Sequence, residues 1–280
     1  MAFLSSIPTS STVYLDLEGK NLSRNGTISI ITILIHPQNT VHLIDILTLG
    51  EIAFTAISST GKKGKTLKSI FEDPDITKFF WDVRNDADAL WAHYRVGLAG
   101  VIDIQLLENA SRKDDKTYIR GLDKSVQYDL KPGFMELNRW LRTKKDVKDL
   151  MPYNVFSARP LDAKIIQYCI NDIIYLPALY ALYLTRIKGD WFPKAVNESA
   201  RRVVEAHGVG YEPQSESKKL GPWGAGGGKR RVTMDHMLDM VDEDMVGYYD
   251  DVNDYDDWGG MNAHDGAQDS EAFYSCWDKN

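Results

Sequence analysis

Two cysteines in 280 residues leave nothing from which to build a disulfide framework or a zinc site. Cys169 falls inside a helical pattern and Cys276 in a polar stretch near the end, far from each other. Their scarcity fits a reducing compartment. No apolar run approaches the roughly 18 residues of a membrane span. Met1 to Thr12 lacks the basic start and long apolar core of a secretion signal. The expected setting is therefore intracellular, cytoplasmic or nuclear, away from membranes. The six histidines show no metal-ligand spacing, and no internal repeat is visible.

What is present is an ordinary globular composition, 43% hydrophobic and 26% charged, with its charge unevenly placed. Residues 235–280 hold 14 Asp and Glu against one Lys, a net of −13. The remaining chain carries 32 Lys and Arg against 26 Asp and Glu, a net of +6. A mildly basic body is compatible with a nucleic-acid partner. The stretch 211–280, rich first in Ser, Lys, Gly and Pro and then in acids, reads as a linker followed by an acidic disordered tail. Residues 10–210 read as the folded domain.

Within that domain the pattern opens with three strands: Thr12–Glu18, Ile28–Ile35 and Val41–Ile46. Turns at Asn25-Gly26 and His36-Pro37-Gln38-Asn39 separate them. A short helix over Thr66–Phe71 and a strand over Thr77–Val83 follow. A helix opening at Asn85-Asp86 then runs to about Tyr94, and a short strand covers 101–104. Residues 113–154 are polar and charged and carry no clear period. Leu161 to Ile187 is the longest helical pattern, with Pro177 expected to kink it or restart it. A last helix covers 194–206 and ends at Gly208. The layout is α/β with a mixed sheet.

Side chains of a strand alternate faces, so Asp16 and Glu18 of the first strand point the same way. Neighbouring carboxylates repel unless a cation or proton lies between them. Alone, such a pair is most often simply wet. Candidate partners come later. Asp82, Asp86 and Asp88 cluster where the fourth strand hands over to a helix. Tyr168 and Asp172 are four apart on one helical face. Carboxylates converging from several elements suit hard divalent ions such as Mg²⁺ or Mn²⁺.

Three motifs in this order resemble the DEDD superfamily of 3′–5′ exonucleases, in its tyrosine-containing, ribonuclease D-like branch. They are Leu15-Asp16-Leu17-Glu18-Gly19, then Lys78-Phe79-Phe80-Trp81-Asp82-Val83-Arg84-Asn85-Asp86, then Tyr168-Cys169-Ile170-Asn171-Asp172. Val101-Ile102-Asp103-Ile104-Gln105 and Asp172 to Pro177 also look like the family. The stretch Asp82 to Leu90 looks nearest the eukaryotic group of Egalitarian and the exonuclease 3′–5′ domain-containing proteins.

The resemblance implies an RNase H-like mixed β-sheet flanked by helices. It implies that Asp16, Glu18, Asp86 and Asp172 bind two divalent ions, Mg²⁺ or Mn²⁺, with Asp16 bridging, and that Tyr168 orients the attacking water. The implied substrate is the 3′ end of single-stranded RNA or DNA, and the implied product nucleoside 5′-monophosphates. Asp82 is the alternative to Asp86 in the second motif. Asp86 is favoured because it opens a helix, and Asp88 reads as a solvated first-turn acid. The alternative function is a catalytically inactive nucleic-acid-binding adaptor on the same fold, since some relatives have lost catalytic acids. Arg84, Lys131, Arg159, Arg201 and Arg202 are candidate phosphate contacts. Trp81, Trp91 and Tyr94 are candidate base-stacking groups, though core packing suits them better.

Overall fold

β1 (Thr12–Glu18) is the middle strand of a five-stranded sheet. The other strands are β2 (Ile30–His36), β3 (Thr40–Asp45), β4 (Thr77–Phe80) and β5 (Val101–Asp103). The order is β3-β2-β1-β4-β5. β1 runs antiparallel to β2 and β2 to β3, whereas β4 lies parallel to β1 and β5 to β4. This computed structural model describes residues 4, 7, 11–58 and 64–224. The expected acidic tail, with Cys276, lies outside them.

Helices flank the sheet: α1 (Ile46–Leu49), α2 (Ile52–Thr55), α3 (Leu67–Glu72), α4 (Arg84–Tyr94), α5 (Ile104–Ser111), α6 (Leu122–Ser125), α7 (Phe134–Leu150), α8 (Ala163–Ile174), α9 (Leu176–Arg186) and α10 (Trp191–His207). This is the expected RNase H-like mixed sheet with helices. The alternation in β1 divides its side chains between two cores. Val13, Leu15 and Leu17 pack with Ile31, Ile33, Phe80 and Leu90 on one side. Tyr14 faces the other way, stacked on Phe79 with ring centroids 4.7 Å apart, and Asp16 and Glu18 follow it on that face.

Several boundaries move for local reasons. The third strand stops at Asp45, whose carboxylate accepts from Thr48 N and caps α1. The fourth stops at Phe80, because Asp82 turns the chain in the left-handed region at φ 63°. The long helical pattern is two helices meeting at Tyr175, with Pro177 in the first turn of α9.

By length and composition alone, 163–186 is apolar enough to cross a membrane, which the sequence reading did not register. Here its apolar side chains Ile165, Cys169, Ile173, Leu176, Leu179 and Tyr183 are buried in the cores.

Two larger departures concern segments without an apolar period. The unreadable middle holds the 17-residue helix α7. Only Trp140 and Val147 are buried on it, seven residues apart and so on one face, and the indole of Trp140 donates to Asn171 O at 3.1 Å. Residues 211–224, read as linker, are instead folded back on the body. Leu220 bridges Tyr118, Gly221 N donates to Thr117 O at 2.7 Å, and Trp223 meets Trp191 edge-on at 5.4 Å. Backbone pairing, an aromatic contact and hydrogen bonds from Tyr211 and Lys218 to Asn85 hold this strap, contacts that its polar composition does not reveal.

Candidate active site

β1 and β4 are paired only from Thr12 to Tyr14. Beyond Tyr14 the sheet forks, and Asp16 and Glu18 emerge past the end of β4. Because the two strands are parallel, α4 begins at this same end and brings Asp86 with it. A fork at the carboxyl ends of parallel strands is where open α/β sheets place their ligands. Gly19, which closes the first motif, is required by close approach: a Cβ there would lie 1.9 Å from Thr27 O.

α8 crosses the acid-bearing face of β1 and supplies Tyr168 and Asp172, one turn apart. Ligand oxygens of Asp16, Glu18 and Asp172 all lie within 4.8 Å of one another. Glu18, Asp86, Tyr168 and Asp172 are buried and Asp16 is half-buried. Asp86 is not in that tight triad, but the Asp16 charge acts on it. Burial, then Asp16, then Asp82, push the Asp86 carboxyl well above its ordinary range, against backbone amides of Asp86 and Leu17. Burial, then Asp16 and Asp172, do the same to Glu18. Asp16 is pushed up to about 7, by burial first and Asp172 second. Burial and then the Asp172, Glu18 and Asp16 charges drive the Tyr168 phenol upward, so it remains a proton donor.

Of the five residues singled out by sequence, Asp16, Glu18 and Asp172 converge, Tyr168 lies beside them, and Asp86 is within range of the Asp16 charge. Asp82 and Asp86 differ in their partners. Arg84 grips Asp82 with two hydrogen bonds of 2.6 Å, and Arg202 approaches to 3.6 Å. Asp86 makes no ion pair among the described residues, the Lys218 ammonium acting on it only from a distance, and its Oδ1 is buried without a hydrogen-bond partner there. Asp88 corrects the expectation of a solvated acid: its side chain is buried and accepts from Arg24 N at 2.7 Å and Arg24 Nε at 2.6 Å.

The candidate phosphate contacts fare worse. Arg84 is committed to Asp82, Arg159 to Asp45, Arg201 to Glu198 and Glu205, and Arg202 to Asp103. Lys131 is exposed and makes no ion pair among the described residues. Trp91 stacks on His207 and Tyr94 packs on Phe54, as core residues do. Trp81 is partly buried against the second core.

Sequence reasoning missed Lys144. It reaches from α7 into the carboxylates, pairing its ammonium with Asp172 Oδ1. The Trp140 ring lies 4.9 Å and the Tyr168 ring 5.5 Å from it. Without α7 in view, nothing marked this lysine among its neighbours.

The donor set fits a hard divalent cation. Every candidate ligand is a carboxylate oxygen, three of them converge within 4.8 Å, and a fourth carboxylate keeps a buried oxygen with no partner.

A fold with this site defines a class, and comparison with known proteins agrees with it. The 3′–5′ exonuclease family matches residues 2–186, and the chain belongs to that family. In fold and motif order it is a DEDD-type exonuclease domain. No curated protein matches it. Among solved structures it is similar to RNase D of Trypanosoma brucei, at 22% identity and a TM-score of 0.57, covering 74% of this chain and 68% of that one. The complex of that enzyme with RNA U12 matches with the same identity and TM-score, covering 74% of this chain and 66% of that one. RNase D of Escherichia coli, described as an exoribonuclease involved in structured RNA processing, matches at 21% identity and a TM-score of 0.50, over 73% of this chain and 46% of that one. At these identities the likeness is one of fold. The chain spans about two thirds of the trypanosome protein and less than half of the bacterial one.

Proposed function

We propose that this protein is a metal-dependent 3′–5′ exonuclease that removes nucleoside 5′-monophosphates from the 3′ end of single-stranded RNA or DNA. The observation that carries the reading is an acid cluster in which carboxylates outnumber cations. Asp16, Glu18, Asp86 and Asp172 come from three elements, and Lys144 is the cation the chain itself sets against them. Burying several carboxylates together is unfavourable unless cations bind there.

In this reading Asp16, Glu18, Asp86 and Asp172 would hold two divalent ions, Mg²⁺ or Mn²⁺. Bound divalent ions supply Lewis acidity, making water nucleophilic near neutral pH and neutralising charge on the phosphate. The Tyr168 hydroxyl, kept protonated by burial and by its acidic neighbours, donates to the attacking water and fixes its direction. Lys144, between the Trp140 and Tyr168 rings, faces the entering phosphate as a point charge. The exposed Arg139, Arg142 and Lys148 on the same helix add positive charge for a polyanion.

We take the catalytic domain to extend from about residue 10 and to include the strap over 211–224. Within the family we place the chain beside the eukaryotic Egalitarian-like group on the motif Asp82 to Leu90, acting inside the cell.

The test uses single-stranded RNA and DNA labelled at either end, with Mg²⁺ or Mn²⁺. A 5′-labelled strand is expected to shorten stepwise, and chelation or Asp16→Ala to stop it. Binding without degradation under both metals overturns the reading and leaves the adaptor.

A further inference from the structure

Residues 187–224 lie beyond the stretch that matches the family, yet they fasten the segment that delivers Asp86. α4 has no cap of its own: Val83 stands at its N-cap without a side-chain hydrogen bond, and Asp82 before it is left-handed. The start of this helix is set from elsewhere.

Asp103 accepts from Asp82 N at 2.9 Å and Val83 N at 3.1 Å. It is itself held by Arg202 of α10 at 2.6 Å, while the Ser199 hydroxyl accepts from Asp103 N at 2.9 Å. The strap takes the next two residues. Arg84 Nη2 donates to Lys218 O at 2.9 Å. On Asn85 Oδ1 two donors converge, the Tyr211 hydroxyl at 2.7 Å and the Lys218 ammonium at 2.5 Å. Every residue from Asp82 to Asn85 is therefore tied to α10, to the strap, or to Asp103. The next residue is Asp86, whose buried carboxyl is repelled by Asp16.

Lys218 makes no ion pair among the described residues. Its ammonium also donates to Pro213 O at 3.1 Å, lies 5.6 Å from the Tyr211 ring and is within reach of the Asp82 and Asp86 charges, so it joins the strap to the start of α4. The strap is anchored independently, through Ile119 N to Lys219 O at 3.0 Å and through Gly221 N to Thr117 O at 2.7 Å.

We propose that Tyr211 and Lys218 are positioning residues for the metal site. By gripping Asn85 they fix the first turn of α4 and hold the Asp86 carboxylate facing Asp16 against their mutual repulsion. The inference rests on the reading of Asp86 as a metal ligand.

It is tested in the full chain by Mn²⁺ titration without nucleic acid, followed calorimetrically. The variants are Tyr211→Phe, Lys218→Met and the pair together, with Lys218→Arg as the conservative control. Removing partners that orient a ligand weakens metal binding by about 10- to 100-fold. The double variant is expected to bind Mn²⁺ at least about tenfold more weakly, with Tyr211→Phe in between and Lys218→Arg near the parent. Tyr211→Phe loses one hydroxyl and keeps the ring, so it reports even if the double variant melts early. Unchanged Mn²⁺ affinity in Tyr211→Phe and in the folded double variant overturns the positioning role and leaves the exonuclease reading standing. A parent protein that binds no Mn²⁺ overturns both.

Discussion

Asp82 and Asp86 are separated by one turn of chain and treated in opposite ways. Asp82 sits in a closed ionic cluster, where Arg84 and Arg202 answer the charges of Asp82 and Asp103. Asp86 sits in an open one, where acids outnumber cations and one buried oxygen goes without a partner. The difference separates acids that hold structure from acids that wait for a ligand. A structural carboxylate has its charge answered within the chain. A binding carboxylate is left with repulsion that only something from outside relieves.

The sharpest way to break this contrast is to neutralise the open acid. Asp86→Asn is expected to reduce 3′-end shortening of a labelled strand by about three orders of magnitude. The metal-free protein should melt no lower than the parent, because a repulsive charge has gone. A clear loss of melting temperature would place Asp86 among the structural acids.

The converse change is Arg202→Met in the closed cluster. It strands Asp103, whose side chain is fully buried against an Arg202 only 3% exposed. The expected loss is about 3–5 kcal/mol in urea unfolding. A neutral result would show that the cluster does not need its charges matched.

Lys144 stands between the two cases, being the open cluster's own cation. Lys144→Met removes a competitor for the carboxylates. Mn²⁺ should then bind roughly tenfold more tightly, about 1.4 kcal/mol, although nuclease activity falls. Weaker Mn²⁺ binding would make Lys144 a support of the site instead.

The smallest effect is that of pH on the metal-free protein. Asp16 is raised to about 7, with Glu18 and Asp86 also raised above their ordinary values. Between the ordinary carboxylate range and about 7, the folded chain therefore holds more protons than the unfolded one. Its stability should rise as pH falls from 7.5 to 5.5 in chelator, and drop away as pH climbs through about 7. Saturating Mn²⁺ should reverse the slope, since it favours the ionised carboxylates. A melting temperature that falls on acidification in chelator would contradict the raised values.

How much of this was legible in the sequence follows from the range of each interaction. Asp16 and Glu18 were readable because a strand puts alternate residues on one face. Tyr168 and Asp172 were readable because a helix does the same for residues four apart. The fold followed from three β-rich runs and then alternating elements. α7 was hidden because its buried stripe is little more than Trp140 and Val147, set among lysines and arginines. Lys144 was hidden with it. Asp88 was misread because its partner, Arg24, lies 64 residues away on another element. The strap was misread because its grip is made of backbone groups and one asparagine oxygen, and composition records neither.

Because the sheet forks after Tyr14, the two halves of the site are fastened with unequal strength. Asp16 and Glu18 ride on the central strand, paired with β2 along its whole length, whose amides are expected to exchange only on opening of the sheet. Asp86 rides on a helix start secured by a few hydrogen bonds from residues far along the chain, and such contacts open locally at much smaller free energies. Under gentle heating or dilute denaturant the second half lets go while the first is intact, so inactivation runs ahead of unfolding.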